Sequence, residues 1–305
     1  MFDFRKSVKD ILQQDRDQNI VLKAPAKINL FLKILGRRPD GYHEIVSLMQ
    51  KVELFDTLHL TREGNTILLA CPESGLPEDK GNLVYRAAEA FFAATGMKTG
   101  IKIVLEKKIP VAAGLGGGSS DAAAVIKGLD SLLGTGMPEE RLVQIARPLG
   151  ADVPFFVCSC GAAIATGIGD CLDEVESTKG LWLLLVNPGF SLSTKWAYEN
   201  FPLTSCANPY ILARVRKMQA NQHETAPGSY EELGNDLEAV SISRFPEIGE
   251  IKNELKQGGA VVSLMSGSGP TVFGLFPSEE DAQRSFLQLG KKYGKNVFLV
   301  KPYIP

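Results

Sequence analysis

The sequence predicts an α+β protein built in two domains. Its 305 residues are long for one hydrophobic core and comfortable for two domains of roughly 100–200 residues each. Between Ile20 and Ala70, apolar residues recur at strand spacing, interrupted by turn residues in "RRPDGYH". Beyond that point helical and strand patterns alternate to the end of the chain, without an internal repeat or low-complexity block.

Residues 1–20 form an extension in which Phe4, Val8, Ile11 and Leu12 fall at helical spacing, predicting a short amphipathic docking helix. "NIVLKAPAKINLFLKI" predicts a first strand, and "VSLMQKVELFDTLHLTREGNTILLA" a second strand group. In "PEDKGNLVYRAAEAFFAATG", Asn82 is suited to cap a helix and Gly96 to stop it. "GIKIVLEKKIP" alternates apolar and polar residues, so it reads as a strand leading into a glycine-rich stretch. "DAAAVIKGLDSLLG" and "MPEERLVQIARPLG" predict two helices, and apolar "DVPFFVCSCGAAIATGIG" predicts sheet.

Polar "DEVESTKG" marks the expected boundary between an N-terminal domain, 21–178, and a C-terminal domain, 179–305. The second domain opens with the buried-looking strand "LWLLLVNPG" and continues with helices near 194–201, 209–219 and 235–256. "AVVSLMSGSGPTVFGLF" reads as a hairpin with a glycine-rich connection; a helix near 278–293 and the strand "NVFLVKPYI" follow.

Composition excludes several functional classes. With 44% hydrophobic and 22% charged residues the chain is globular rather than disordered. A net charge of -2 gives no overall attraction for nucleic acid, although a local basic patch is compatible with it. Cys71, Cys158, Cys160, Cys171 and Cys206 are odd in number and lack C-x-x-C spacing, and only His43, His59 and His223 could join them at a metal. Reduced, buried thiols in the cytoplasm are expected instead. The run "LWLLLV" is far too short to span a bilayer, and the N-terminus lacks a signal peptide's apolar core. The expectation is a cytoplasmic protein, monomeric or weakly dimeric, without nucleic-acid or membrane partners.

The chemistry concentrates in "PVAAGLGGGSSDAA", residues 110–123. A linker, a tight turn or an anion-binding loop would each use so many glycines. Flanking strand and helix patterns argue against a linker. Glycines allow positive φ and expose bare N–H groups, while Ser119, Ser120 and Asp121 stand where the helix begins. Those are the parts of a phosphate cradle. Helix capping by the serines and dipole pairing by Asp121 explain the same residues structurally. No Gly-Lys-Ser/Thr follows, so this is not a Walker loop, and Ser119 stands where a dinucleotide fingerprint needs its last glycine.

The same stretch resembles the ATP loop of the GHMP kinases. "APAKINLFLKILGRRPDGYHE", "LGADVPFF", "GNDLE" and "LMSGSGPTVFGLF" agree with that family in the expected order, over about 250 residues. The "SSDAA" ending and "DGYH" are similar to the branch whose acceptor carries a cytidine diphosphate group. One departure is that 23 residues precede Ala24, whereas the family usually starts close to this strand.

The resemblance implies a two-domain GHMP fold: an N-terminal domain like domain 2 of ribosomal protein S5, and a ferredoxin-like C-terminal domain that completes the substrate cleft. It implies ATP-dependent phosphorylation of the 2-hydroxyl of 4-diphosphocytidyl-2-C-methyl-D-erythritol, in the non-mevalonate route to isoprenoid precursors. It places ATP on Pro110, Val111, Ala112, Ala113, Gly114, Leu115, Gly116, Gly117, Gly118, Ser119 and Ser120. Mg²⁺ accompanies ATP, and no acidic cluster reads as a metal cage, so phosphates and water would mainly hold it.

By the same resemblance Asp152 is the catalytic base and Lys27 its electrostatic partner, with Asn29 beside the substrate. Lys27 and Asn29 share strand parity and so face the same way. Taken alone, Asp152 before Val-Pro also suits a turn or strand start, and Asn29 suits a backbone contact. Tyr42 and His43 would hold the cytosine, with Tyr198 as second aromatic, although Phe190 and Trp196 compete for that register. Gly267 and Gly269 would approach the acceptor's phosphates, or simply connect a hairpin. Another small-molecule kinase of the family and a non-catalytic nucleotide-binding module are the rival readings.

Overall fold

The computed structural model describes residues 18–203 and 233–305. The expected helices at the N-terminus and near 209–219 lie outside them. Two long strands, β1 (Asn19–Arg37) and β2 (His43–Arg62), precede a short β3 (Ile67–Ala70). Helix α1 (Leu83–Thr95) follows the capping logic of its sequence: Asn82 accepts from the Val84 N–H, and Gly96 ends the helix at φ 67°. After β4 (Ile101–Glu106) come α2 (Gly117–Leu133), α3 (Glu139–Ala146) and the short α4 (Val153–Val157). β5 (Ala162–Thr166), β6 (Cys171–Val175) and β7 (Trp182–Val186) lead to α5 (Thr194–Glu199). α6 (Glu238–Arg244), α7 (Glu247–Gln257), β8 (Val262–Met265), β9 (Val272–Phe276), α8 (Glu279–Tyr293) and β10 (Val297–Val300) complete the order.

Four local expectations are corrected. Residues 153–157 are helix rather than sheet, with Pro154 in the first turn, where a missing N–H costs nothing. Cys158 ends that helix. The polar stretch after Cys171 begins as strand β6, and exposed Cys171 departs from the buried thiols Cys71 and Cys160. The predicted helix 235–256 is two helices, broken at Phe245 and Pro246 because proline's ring obstructs a continuing helix.

Among the described residues, one compact unit comprises 18–24, Phe55–Lys108 and Gly117–Cys158. In it β2 pairs antiparallel with β4, Thr57 opposite Glu106, and β3 pairs parallel with β4. Ile101, Ile103 and Leu105 point one way from β4 and are buried, while Lys102 and Glu106 are exposed. Helices α1 and α2 pack together, burying Ala87, Ala88, Phe91, Ala122 and Ala123. Small residues let the two helices approach closely.

The other unit comprises, among the described residues, Pro25–Leu54, Ile109–Gly116, 159–203 and 233–305. β5 pairs antiparallel with both β2 and β6. A second, four-stranded antiparallel sheet has the order β10-β7-β9-β8, the ferredoxin-like arrangement of β, helices, β, β, helix, β. The uninterrupted apolar run of β7 has a reason. Leu184 and Val186 enter a core with Ile248, Ile251 and Leu255, whereas Leu183 and Leu185 join Ile28, Leu30, Val52 and Phe273. Both faces of the strand are covered. No helix among the described residues is long and apolar enough to cross a membrane.

Candidate active site

Strand β1 divides its side chains by parity. Ile28 and Leu30 enter the apolar core, while Lys27 and Asn29 stay on the opposite side, at 5% and 3% exposure. A buried ammonium needs acceptors, and Lys27 Nζ donates to Asn29 Oδ1 at 2.6 Å. Asn29 Nδ2 donates to Ser47 Oγ at 2.7 Å, and Ser47 Oγ donates to the Phe31 carbonyl at 2.8 Å. This chain of donors fixes which way the Asn29 amide faces.

Both glycine-rich segments meet this strand. The Lys27 N–H donates to Leu115 O at 2.9 Å, laying the first segment on β1, with Ala113 and Leu115 in the apolar core. Val111, Ala112 and Gly118 are exposed, and Ala112 adopts φ 52°, which strains a residue with a side chain. The second segment connects β8 to β9. Ser266 Oγ donates to Gly114 O at 2.9 Å, and the Thr271 N–H donates to Ala113 O at 3.3 Å. Gly114 has φ 76°, and a Cβ there would lie 2.2 Å from Ser266 O, so only glycine fits. Gly267 has φ 56°; its Cβ would stand 3.1 Å from Asn29 Oδ1 and 3.4 Å from Lys27 Nζ. The structure thus brings Lys27, Asn29, Gly114, Leu115 and Gly267 together. Gly269 lies in the same turn, backed by Met265.

The glycine stretch continues into α2, which begins at Gly117, two residues earlier than the serines suggested. Ser119 and Ser120 are therefore inside the first turn rather than capping it. Ser120 Oγ is buried without a hydrogen-bond partner. Asp121 is not a dipole partner at the helix end but part of a buried charge cluster. Lys107 Nζ donates to Asp121 Oδ2 at 2.7 Å and to Asp56 Oδ2, and Asp56 Oδ1 accepts the Lys108 N–H at 2.5 Å. Burial, with Asp56 nearby, pushes Asp121 up to about 7 against the pull of Lys107. Although burial opposes it, the two carboxylates hold Lys107 above its usual range. This cluster ties the start of α2 to the strands that deliver it.

The proposed base-binding residues divide. His43 and Tyr198 stack loosely, with ring centroids 5.2 Å apart at 34°. Burial and the Arg37 charge hold the His43 imidazole below its usual range. Tyr42 is 61% exposed; its N–H donates to Asp40 Oδ1 at 3.1 Å, closing an Asx turn within the expected turn segment. The competing aromatics belong elsewhere. Phe190 stacks on Phe245 at 4.7 Å, and Trp196 lies under the Arg244 guanidinium at 4.7 Å. Ser193 caps α5 through the Trp196 N–H, which sets the helical register carrying Tyr198.

Asp152 is half-buried at the start of α4, and its side chain does not cap that helix. It belongs to the same compact unit as the Lys107 cluster, whereas Lys27 and the glycine turn at 266–270 belong to the other. Residues that the linear reading passed over are Asn235, whose amide holds the second turn, and Lys107 with Asp56. Asn235 sits in the quoted "GNDLE", but no local pattern reveals a partner 30 residues away.

A glycine stretch running into a long helix, followed along the chain by a ferredoxin-like sandwich, defines the class: the GHMP small-molecule kinases. Their N-terminal domain matches residues 82–160 and their C-terminal domain matches residues 216–296. The 4-diphosphocytidyl-2-C-methyl-D-erythritol kinase of Syntrophotalea carbinolica is 48% identical over 92% of this chain and 97% of its own. That of Geobacter metallireducens is 47% identical over 87% and 92%. A crystal structure of 4-(cytidine 5'-diphospho)-2C-methyl-D-erythritol kinase superposes with a TM-score of 0.77 at 33% identity, covering 92% of this chain and 98% of that one. This chain belongs to the 4-diphosphocytidyl-2-C-methyl-D-erythritol kinase family within the GHMP kinases.

Proposed function

We infer that this protein transfers the γ-phosphoryl group of ATP to the 2-hydroxyl of 4-diphosphocytidyl-2-C-methyl-D-erythritol, giving the 2-phosphate and ADP. The observation that carries this reading is the buried Lys27–Asn29–Ser47 relay, with the turn at Gly267 resting on it, in a chain 48% identical to a kinase of that name. Phosphoryl transfer leaves the protein little covalent chemistry, so positioning and charge neutralisation must do most of it.

Residues 110–120 are assigned to the ATP phosphates, through backbone N–H groups and the first turn of α2. Mg²⁺ enters as part of Mg·ATP, held mainly by phosphates and water. Asp152 accepts the proton of the 2-hydroxyl as that oxygen bonds to the γ-phosphorus and the bond to ADP breaks. Lys27 stabilises the charge that develops. Tyr42, His43 and Tyr198 bind the cytosine, and Gly267 and Gly269 let the acceptor's phosphates approach bare backbone. Such a handle, remote from the reacting oxygen, can be spent on orienting it. The reaction belongs to the non-mevalonate route to isoprenoid precursors, and the cytoplasm is its proposed setting.

The test is ADP release with ATP and a panel of acceptors. Rapid turnover is expected with the diphosphocytidyl substrate, and very little with bare methylerythritol, homoserine or mevalonate. Asp152→Asn should retain its melting transition and ATP binding while kcat falls by about 10²–10⁴-fold. Equal use of bare and cytidyl acceptors would remove the cytosine assignment and leave a broader kinase. Wild-type kcat in Asp152→Asn would remove the base.

A further inference from the structure

Asn235 is 7% exposed, and its amide is committed in three directions. Nδ2 donates to Met265 O at 2.8 Å and to Gly267 O at 2.7 Å, while Oδ1 accepts the Leu237 N–H at 3.0 Å. Both donors of a primary amide are thereby used on two carbonyls of one turn. The neighbouring residues hold Asn235 itself in place. Asp236 accepts Lys33 Nζ at 2.6 Å and the Ile34 N–H at 2.9 Å, which anchors it to β1. Glu238 accepts the Met265 N–H at 2.6 Å and Lys252 Nζ at 2.6 Å. The segment is thus fastened to β1 on one side and to β8 on the other.

Gly267 is the link from this fastening to the chemistry. Its carbonyl is held by Asn235, and its α-carbon faces Asn29 Oδ1 and Lys27 Nζ, with little room to shift toward them. We propose that Asn235 is a positioning residue for phosphoryl transfer: it holds the Gly267 turn against the Lys27–Asn29 pair and so sets where the Lys27 ammonium sits. The inference rests on the kinase reading for its assay. An amide suits the task because two carbonyl oxygens converging on one point repel each other unless donors stand between them. Removing those donors lets the turn back away from Lys27, and small displacements of reacting groups are costly.

Asn235→Asp tests this directly, since it preserves the shape and the bond from Leu237 while deleting both donors. It should lower kcat with the cytidyl acceptor by about tenfold to about 10²-fold. Its ATP dissociation constant should stay within about threefold of wild type, since the ATP-binding stretch keeps its other anchors. The deficit should shrink as pH falls toward about 6, because a buried aspartate regains one donor on protonation. Asn235→Ala, if it folds, should show the same loss without the recovery. A purely structural residue would lower the melting transition and leave the kcat of the folded fraction alone. Thus a folded Asn235→Asp with wild-type kcat, or with a deficit that ignores pH, overturns the inference. Lack of turnover by wild type would overturn the kinase reading itself, and this inference with it.

Discussion

The two glycine-rich turns look alike in sequence and differ in what their glycines do. In the second, between β8 and β9, Ser266 and Thr271 are fully buried and Gly267 is boxed by Asn29 and Lys27. In the first, Gly114 is boxed more tightly still, but four residues on the chain opens: Gly118 is exposed, and a Cβ added there would meet nothing within 4 Å. Their anchors differ as well. The helix that follows the first turn is secured by the charges of Asp56, Lys107 and Asp121, whereas the second turn is held by the neutral Asn235 amide. Close packing requires glycine at Gly114 and Gly267, whereas Gly118 leaves open space. Composition alone cannot separate those uses; the surrounding atoms do.

Substitutions can sharpen this contrast. The largest effect is expected from Gly114→Ala, where a methyl would strike a backbone carbonyl at a strained φ. It should cost about 3 kcal/mol of stability, read as a lowered melting transition, and abolish most turnover. Gly267→Ala should cost less, about 1–2 kcal/mol, since its left-handed φ is tolerable and its nearest contact is a side-chain oxygen. Its kcat should nevertheless fall about tenfold, because the methyl presses on Asn29.

The charged anchor should respond to pH. Burial pushes Asp121 up to about 7 in the folded protein, above a solvated carboxylate, so the folded protein holds a proton that the unfolded chain releases above about pH 4. Stability from this group is therefore greatest in acid and is lost as pH rises through 7. Asp121→Asn cannot titrate, so its stability relative to wild type should improve from about pH 5 to about pH 8 in urea melts. A gap that stays constant would mean Asp121 is ionised throughout. The smallest change in stability is expected for Gly118→Ala, within about 0.5 kcal/mol, with a severalfold weaker KM for ATP. Unchanged ATP kinetics there would remove the phosphate assignment from this open face.

Much of this was legible because the deciding signals were local. Asn82 and Gly96 bracket α1 as read, and the glycine-rich connection between β8 and β9 announced itself. "DVPFF" misled because a short apolar run with proline near its start suits a helix turn as well as a strand. For Asp121 the linear sequence offers a phosphate cradle or a dipole partner and nothing of the charge cluster, since Asp56 and Lys107 are 65 and 14 positions away. Sequence spacing leaves Tyr198 and Trp196 indistinguishable, whereas the Ser193 cap sets the register of α5 and Tyr198 lies against His43. Asn235 needs three-dimensional neighbours to have any role at all.

The apolar cluster under Lys27 bears on how the gene can be divided. Ala26, Ile28, Leu30, Val52 and Leu54, from the first two strands, share one core with Leu183, Leu185, Val262, Phe273 and Leu275 from the ferredoxin-like sheet. A fragment that stops before β7 would keep the first set and lose the second, leaving that face bare to water. Such a truncated product should be sticky and collect in inclusion bodies, while co-expression with the missing C-terminal piece should bring part of it back into solution.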